Sequence, residues 1–230
     1  MLRPSPCGGK GVSVEAAAGP GRTGGGQVEK LDLKKARREL FTAPVNRFVP
    51  VEVPSVSYLM VDGHGDPNTS AAYRSAVESL YAAAYTIKFA CKARGRDFVV
   101  MPLEGLWSAP DPESFVARRK DEWDWTMMIM VPDFIDGEAL DAARPRVAEK
   151  LGTVPDSLRL ERLEEGLCLQ AMHVGSYDDE GPLLALLHDE IMPAGGYTFA
   201  GRHHEIYLSD PRKVAPEKLK TLLRQPVRKS

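Results

Sequence analysis

Two segments of this chain run through the same order of elements, and few folds accommodate both. Val56 to Asp62 (VSYLMVD) is β-prone, closes in the turn-forming GHGDPN and passes into an apolar stripe at helical spacing. Leu167 to Val174 (LCLQAMHV) is also β-prone, turns at Gly175 and passes into the short amphipathic PLLALLHDEIM. In the first helix Tyr73, Ala76, Val77, Leu80, Ala84, Ile87 and Cys91 recur at steps of three and four, the spacing of a single helical face, until Gly95. Asn68, Thr69 or Ser70 can cap its start. Further β-prone runs follow: Asp97 to Trp107 and Glu122 to Val131 in the first half, His203 to Pro211 (HHEIYLSDP) in the second. This order predicts an α+β fold of duplicated strand-helix-strand-strand units, with helices packed on one face of a curved antiparallel sheet. A central ligand cleft belongs on the opposite sheet face or at the seam between the halves.

The other segments fill in around that frame. LDLKKARRELF, from Leu31 to Phe41, has helical spacing and ends before Pro44. Gly137 to Leu151 reads as a helix that Pro145 kinks or divides. Trp123, Trp125, Met127 and Ile129 share one face of their strand while Met128 and Met130 share the other, so that strand is central and covered on both sides. LRLERL reads as a strand before the turn EEG, and APEKLKTLLRQPVRKS as a short C-terminal helix with Leu219, Leu222 and Leu223 inward. Residues 1–29 hold eight of the 20 glycines and little apolar material, so disorder is expected there and a single domain over 30–230.

Composition excludes several classes. A net charge of -2 lacks the basic footprint of a nucleic-acid partner, and no run approaches the roughly 20 apolar residues that span a bilayer. Three well-separated cysteines, Cys7, Cys91 and Cys168, argue against a disulfide framework and for a reducing, cytoplasmic setting. CGGKG lacks phosphate-loop spacing and no G-x-S-x-G is present. His203 and His204 diverge on a strand, and the H-x-E of His203 and Glu205 lacks the P-C-x-x-C that completes a zinc deaminase site, so we assign no metal and no cofactor. No feature sets the oligomeric state.

The chemistry is then sought in HHEIYLSDP. Alternation puts His204, Ile206 and Leu208 on one side, which reads as core, and His203, Glu205 and Tyr207 on the other. Glu205 has two readings. It is a solvated strand residue, or it lies in a cleft walled by Trp107, Trp123 and Trp125, where desolvation makes a carboxylate a better general base and aromatic rings attract lipophilic cations.

YLMVDGHGDPN, PLEGLW, EWDWTMMIMVPDF and HHEIYLSDPRKVAPEKLKTLLRQPV together resemble the gyrase-inhibitor-like (GyrI-like) small-molecule-binding proteins in their stand-alone form, over residues 30 to 228. The resemblance implies a duplicated fold with a central cleft and a glutamate, here Glu205, that in multidrug-sensing relatives meets cationic drugs. It further implies kinship with members that detoxify cyclopropane-bearing, DNA-alkylating compounds of the yatakemycin and duocarmycin type by hydrolytic ring opening. Glu205 and Tyr207 are then the candidate catalytic pair. Trp107, Trp125, Tyr58, Tyr177 and Tyr197 are the candidate ligand-binding residues. The alternative is binding or sequestration of a hydrophobic, cationic small molecule without turnover, or a ligand-sensing module.

Overall fold

The computed structural model describes residues 29–111, 114 and 117–230, so the disorder expected over 1–29 lies outside the described residues except at Glu29. In chain order the elements are β1 (Lys30–Leu31), α1 (Leu33–Ala36), β2 (Val49–Val53), β3 (Val56–His64), α2 (Ala71–Ala93), β4 (Asp97–Phe98), β5 (Leu103–Ser108), β6 (Asp124–Val131) and α3 (Gly137–Leu151). The second half holds β7 (Arg159–Leu163), β8 (Gly166–Val174), α4 (Gly181–Ala185) with a π-helical continuation over Leu186–Ile191, α5 (Met192–Ala194), β9 (Tyr197–Phe199), β10 (His203–Tyr207) and β11 (Lys220–Lys229).

One large antiparallel sheet runs β2-β8-β11-β10-β5-β6-β3-β7, with β9 paired to the end of β11. The expected duplication is visible in that order. One unit is β3-α2-β5-β6, the other β8-α4-β10-β11, and they meet through their middle strands β5 and β10. The strand ahead of each unit crosses to the other, β2 onto β8 and β7 onto β3. Only Pro54 and Ser55 join β2 to β3, a link that reaches roughly 11 Å at full extension. The two ends of the sheet therefore approach each other, and the sheet curls without closing.

Local chemistry explains the helices. Ser70 caps α2, its Oγ accepting from Tyr73 N at 3.2 Å. Asp136 caps α3, and Gly152 ends it at φ 77°, where a Cβ is unfavourable. Pro145 sits inside α3 without dividing it, on the exposed side. Both helical layers lie on the Glu205 face: Tyr73 of α2 packs edge-on against Trp125, and Leu183 of α4 packs with Leu223, the register partner of Glu205. The cleft therefore opens at the seam, between the two helices and over β5 and β10, not on the opposite sheet face.

Two segments depart from expectation. The helix expected over Leu31 to Phe41 is broken into α1 and a 3-10 turn at Arg38–Phe41. Side chains from the sheet capture its carbonyls instead: Gln170 Nε2 donates to Glu39 O and Thr42 O, and Arg224 Nη2 to Leu40 O at 2.6 Å. The C-terminal segment is not a helix but the ten-residue strand β11, between β8 and β10. Pro226 forbids an interior helical turn there, and the apolar run is buried on both sheet faces, Leu222 on one and Leu223 on the other. Among the described residues no helix is long and apolar enough to cross a membrane.

Candidate functional site

The floor of the cleft is a hydrogen-bonded line of three side chains from the two middle strands. Pairing of β10 with β5 sets Glu205 opposite Gly105 and His203 opposite Trp107. Trp107 Nε1 donates to Tyr207 Oη at 3.0 Å, and the Tyr207 hydroxyl donates to Glu205 Oε2 at 2.8 Å. The line fits because position 105 is glycine: an added Cβ would lie 3.0 Å from Trp107 Nε1 and 3.2 Å from Tyr207 Oη. Burial, followed by the Glu205 charge, pushes the Tyr207 phenol well above its ordinary value, so it keeps the proton it donates. The other carboxylate oxygen, Oε1, is 3.6 Å from His203 Nε2, beyond hydrogen-bonding range. Glu205 thus holds one oxygen fixed and one toward the cleft.

Aromatic rings form the walls. Tyr177 stands edge-on to Tyr207 with centroids 5.6 Å apart, Tyr73 stacks on Trp107 at 6.4 Å, and Trp123 meets Trp107 edge-on at 5.8 Å. The cleft measures about 1970 Å3 and continues along α2 past Tyr81 and Tyr85. A ligand of several rings fits within such a volume.

A second carboxyl lines the cleft. Glu180, just ahead of α4, is 4% exposed, and its Oε1 has no hydrogen-bond partner. Burial, reinforced by the Glu205 charge, raises it from 4.5 to about 10, so it is a neutral acid at neutral pH. Burial also raises Tyr177 to about 12.

Of the expected site residues, Glu205, Tyr207, Trp107 and Tyr177 come together here. Three do not line the cleft. Tyr58 pairs with Met130 in β3 and points to the far sheet face, fully buried near Glu104 and Glu165. Trp125 is on the correct face but lies beneath Tyr73, filling the space over Gly63 and donating to Gly65 O. Tyr197 is in β9 at the sheet margin, under the Lys229 ammonium. Sequence reasoning missed Glu180 and Tyr73 as cleft residues. Tyr73 carried a signal, since it opens the apolar stripe of α2, but Glu180 is one acid in the run Asp178-Asp179-Glu180 with nothing to set it apart.

Behind the floor, the side of β10 expected to be plain core is ionic. His204 Nδ1 donates to Glu165 and Nε2 to Glu104 Oε2, each at 3.0 Å, and Arg224 Nη1 donates to Glu165 Oε2 at 3.2 Å. Burial opposes the Glu165 charge, but His204 and Arg224 outweigh it and hold the carboxyl at about 2. Burial likewise opposes the imidazolium of His204, and Glu165 and Glu104 outweigh it, so both ring nitrogens carry protons. Among the described residues no group of three His, Cys, Asp or Glu side chains is placed to hold a metal ion.

Comparison with known proteins agrees with this geometry. An uncharacterized conserved protein from Listeria innocua is 41% identical, covers 86% of this chain and 100% of its own, and superposes with a TM-score of 0.78. A second Listeria innocua structure, named a hydrolase, is 40% identical over 86% of this chain and 100% of its own, with a TM-score of 0.73. The EcmrR C-terminal domain, 14% identical with a TM-score of 0.51 over 80% of this chain and 98% of its own, shares the fold. No curated protein matches. The model of the GyrI-like small molecule binding domain matches residues 50–228, more than half of the chain. With its duplicated sheet, its seam cleft and that match, the chain belongs to the GyrI-like small-molecule-binding family.

Proposed function

We propose that this protein binds a hydrophobic, multi-ring small molecule in the seam cleft and hydrolyses it, opening the cyclopropane of an alkylating compound by addition of water and so detoxifying it. The observation that carries this reading is the Trp107–Tyr207–Glu205 line at the cleft floor. Tyr207 orients Glu205 through Oε2, and Oε1 accepts the proton of a water as that water attacks the ring carbon. Trp107 in turn orients Tyr207. The aromatic walls hold the ligand flat and exclude bulk water around the carboxylate. The 40% identity to a protein named a hydrolase supports catalysis in place of binding alone. A positioned general base contributes about 10²- to 10⁴-fold in rate.

The test incubates purified protein, wild type beside Glu205→Gln, with a duocarmycin-type cyclopropane compound and follows substrate and water adduct by mass spectrometry. Catalytic adduct formation by wild type and its loss in Glu205→Gln are expected. Stoichiometric binding without adduct overturns the hydrolytic reading and leaves sequestration.

A further inference from the structure

Glu180 is a buried acid with no structural task. It stands at the residue preceding α4, yet its side chain caps no backbone N–H. The groups that face it come from each neighbouring element: Glu205 and Tyr207 of β10, Thr221 of β11, Tyr177 and Asp178 of its own loop, and Arg118 from the opposite rim. The Thr221 hydroxyl beside Glu180 favours its ionised form, and burial together with the Glu205 charge outweighs it; Glu180 Oε1 itself has no hydrogen-bond partner. Arg118 is engaged with the Asp178 side chain and carbonyl, and Lys120 Nζ with the Asp178 carboxylate at 3.3 Å, so the cations of the rim are held by Asp178. A carboxyl at 4% exposure, next to a second carboxylate and lacking an ion pair, keeps its proton. Tyr207 cannot supply one to a ligand, because its hydroxyl proton is committed to Glu205 Oε2 at 2.8 Å.

We propose that Glu180 is a catalytic residue of this cleft, the general acid that protonates the ligand oxygen on which charge develops while Glu205 acts as base. This rests on the ring-opening reading above. In the step, the water oxygen forms a bond to the cyclopropane methylene. The bond between that carbon and the rest of the ring system breaks, and its electron pair passes into the conjugated carbonyl. That oxygen takes the Glu180 proton and becomes a hydroxyl. Glu205 takes the proton that water loses. The product carries the elements of water, OH on carbon and H on oxygen, with nothing oxidised or reduced. Transfer of the proton from Glu205 to Glu180 restores both groups for the next turnover.

The experiment combines a reaction-independent and a reaction-dependent readout on the full chain. Infrared difference spectroscopy of wild type against Glu180→Gln is expected to show the carbonyl stretch of a protonated carboxylic acid at neutral pH, retained in Glu205→Gln. With the duocarmycin-type compound, Glu180→Gln is expected to lower kcat by about 10²-fold or more with KM little changed, and Glu180→Asp to restore part of it. In wild type kcat falls on the alkaline side as Glu180 ionises, and Glu180→Gln lacks that fall. Wild-type turnover with an equally active Glu180→Gln overturns this proposal alone. Absence of the carboxylic acid band in wild type overturns it whether or not the variant folds. Failure of wild type to form any water adduct overturns the ring-opening reading and the general-acid role with it.

Discussion

The two faces of β10 treat charge in opposite ways: the back is fully buried, and the front is half-buried and opens into the cleft. Behind the strand, His204 and Arg224 face Glu104 and Glu165, tied by hydrogen bonds of 3.0 to 3.2 Å. In front, one residue along the chain, Glu205 and Glu180 share the cleft without an ion pair between acid and base side chains shorter than the 3.6 Å from His203. A balanced cluster holds a fold in register, because each charge would be costly alone. An unbalanced pair of acids instead pushes two identical groups to different protonation states, which is what acid-base chemistry needs. The same strand therefore carries a structural face and a reactive face.

The strongest way to break that contrast is to unbalance the structural face. Arg224→Met leaves Glu165 buried with one partner fewer and removes the bonds to Gln170 and Leu40 O. Urea unfolding is expected to show a loss of about 3–5 kcal/mol. Glu205→Gln keeps an acceptor for the Tyr207 hydroxyl, and its stability should stay within about 1 kcal/mol of wild type. Equal losses in the two variants would erase the distinction between the faces.

Proton linkage sharpens the contrast next. Glu165 ionises near 2 in the folded protein against an ordinary 4.5, so between those values the unfolded chain binds more protons and stability rises with pH. Its contribution is fully present above 4.5 and is lost as pH falls toward 2. Glu180 has the opposite sign. From 4.5 to about 10 the unfolded chain is ionised there and the folded chain is not, so stability falls as pH rises. Glu180→Gln removes that slope. Urea midpoints of wild type and variant between pH 5 and 8 are expected to diverge as pH rises, the variant becoming the more stable by about 3 kcal/mol at pH 7. Parallel curves would show that Glu180 is ionised in the folded state.

A smaller effect is expected from Gly105→Ala. The added methyl meets Trp107 Nε1 at 3.0 Å, Tyr207 Oη at 3.2 Å and Met127 Cε at 3.3 Å, so the hydrogen-bonded line must part or the strands must shift. The cost is about 1–3 kcal/mol, read as a drop in urea midpoint, with a loss of turnover if the line orients Glu205. A wild-type turnover rate in this variant would separate the line from catalysis.

What was legible in the sequence follows from what is local. The period of two in HHEIYLSDP placed Glu205 and Tyr207 together, and the repeated strand-helix order gave the duplicated α+β fold and the seam. Faces were harder to assign where both are buried. β3 is apolar at every position from Val56 to Val61 except Ser57, so nothing local told that Tyr58 points away from the cleft, and β11 mimicked a helix for the same reason. His204 read as core because its ionic partners are remote in sequence, Glu165 39 residues away and Glu104 100. Glu180 was invisible because its character comes from burial and from Glu205, on a separate strand at the cleft floor, and an acidic turn carries no periodicity.

The finest test asks whether Trp107 acts through Tyr207 or only fills space. Trp107→Phe keeps an aromatic face toward Tyr73 and Trp123 and removes the N–H that Tyr207 Oη accepts. Loss of that one hydrogen bond is worth about 1 kcal/mol in stability. In turnover, a Tyr207 hydroxyl free to rotate away from Glu205 Oε2 costs about tenfold, or 1.4 kcal/mol. Tyr207→Phe cuts both links of the line at once, so once it is in place Trp107→Phe has nothing further to disconnect. The double variant is then expected to match Tyr207→Phe alone, a coupling of about 1 kcal/mol by double-mutant cycle. Additive losses would mean that Trp107 serves the cleft only as a wall, and that Tyr207 holds Glu205 without its help.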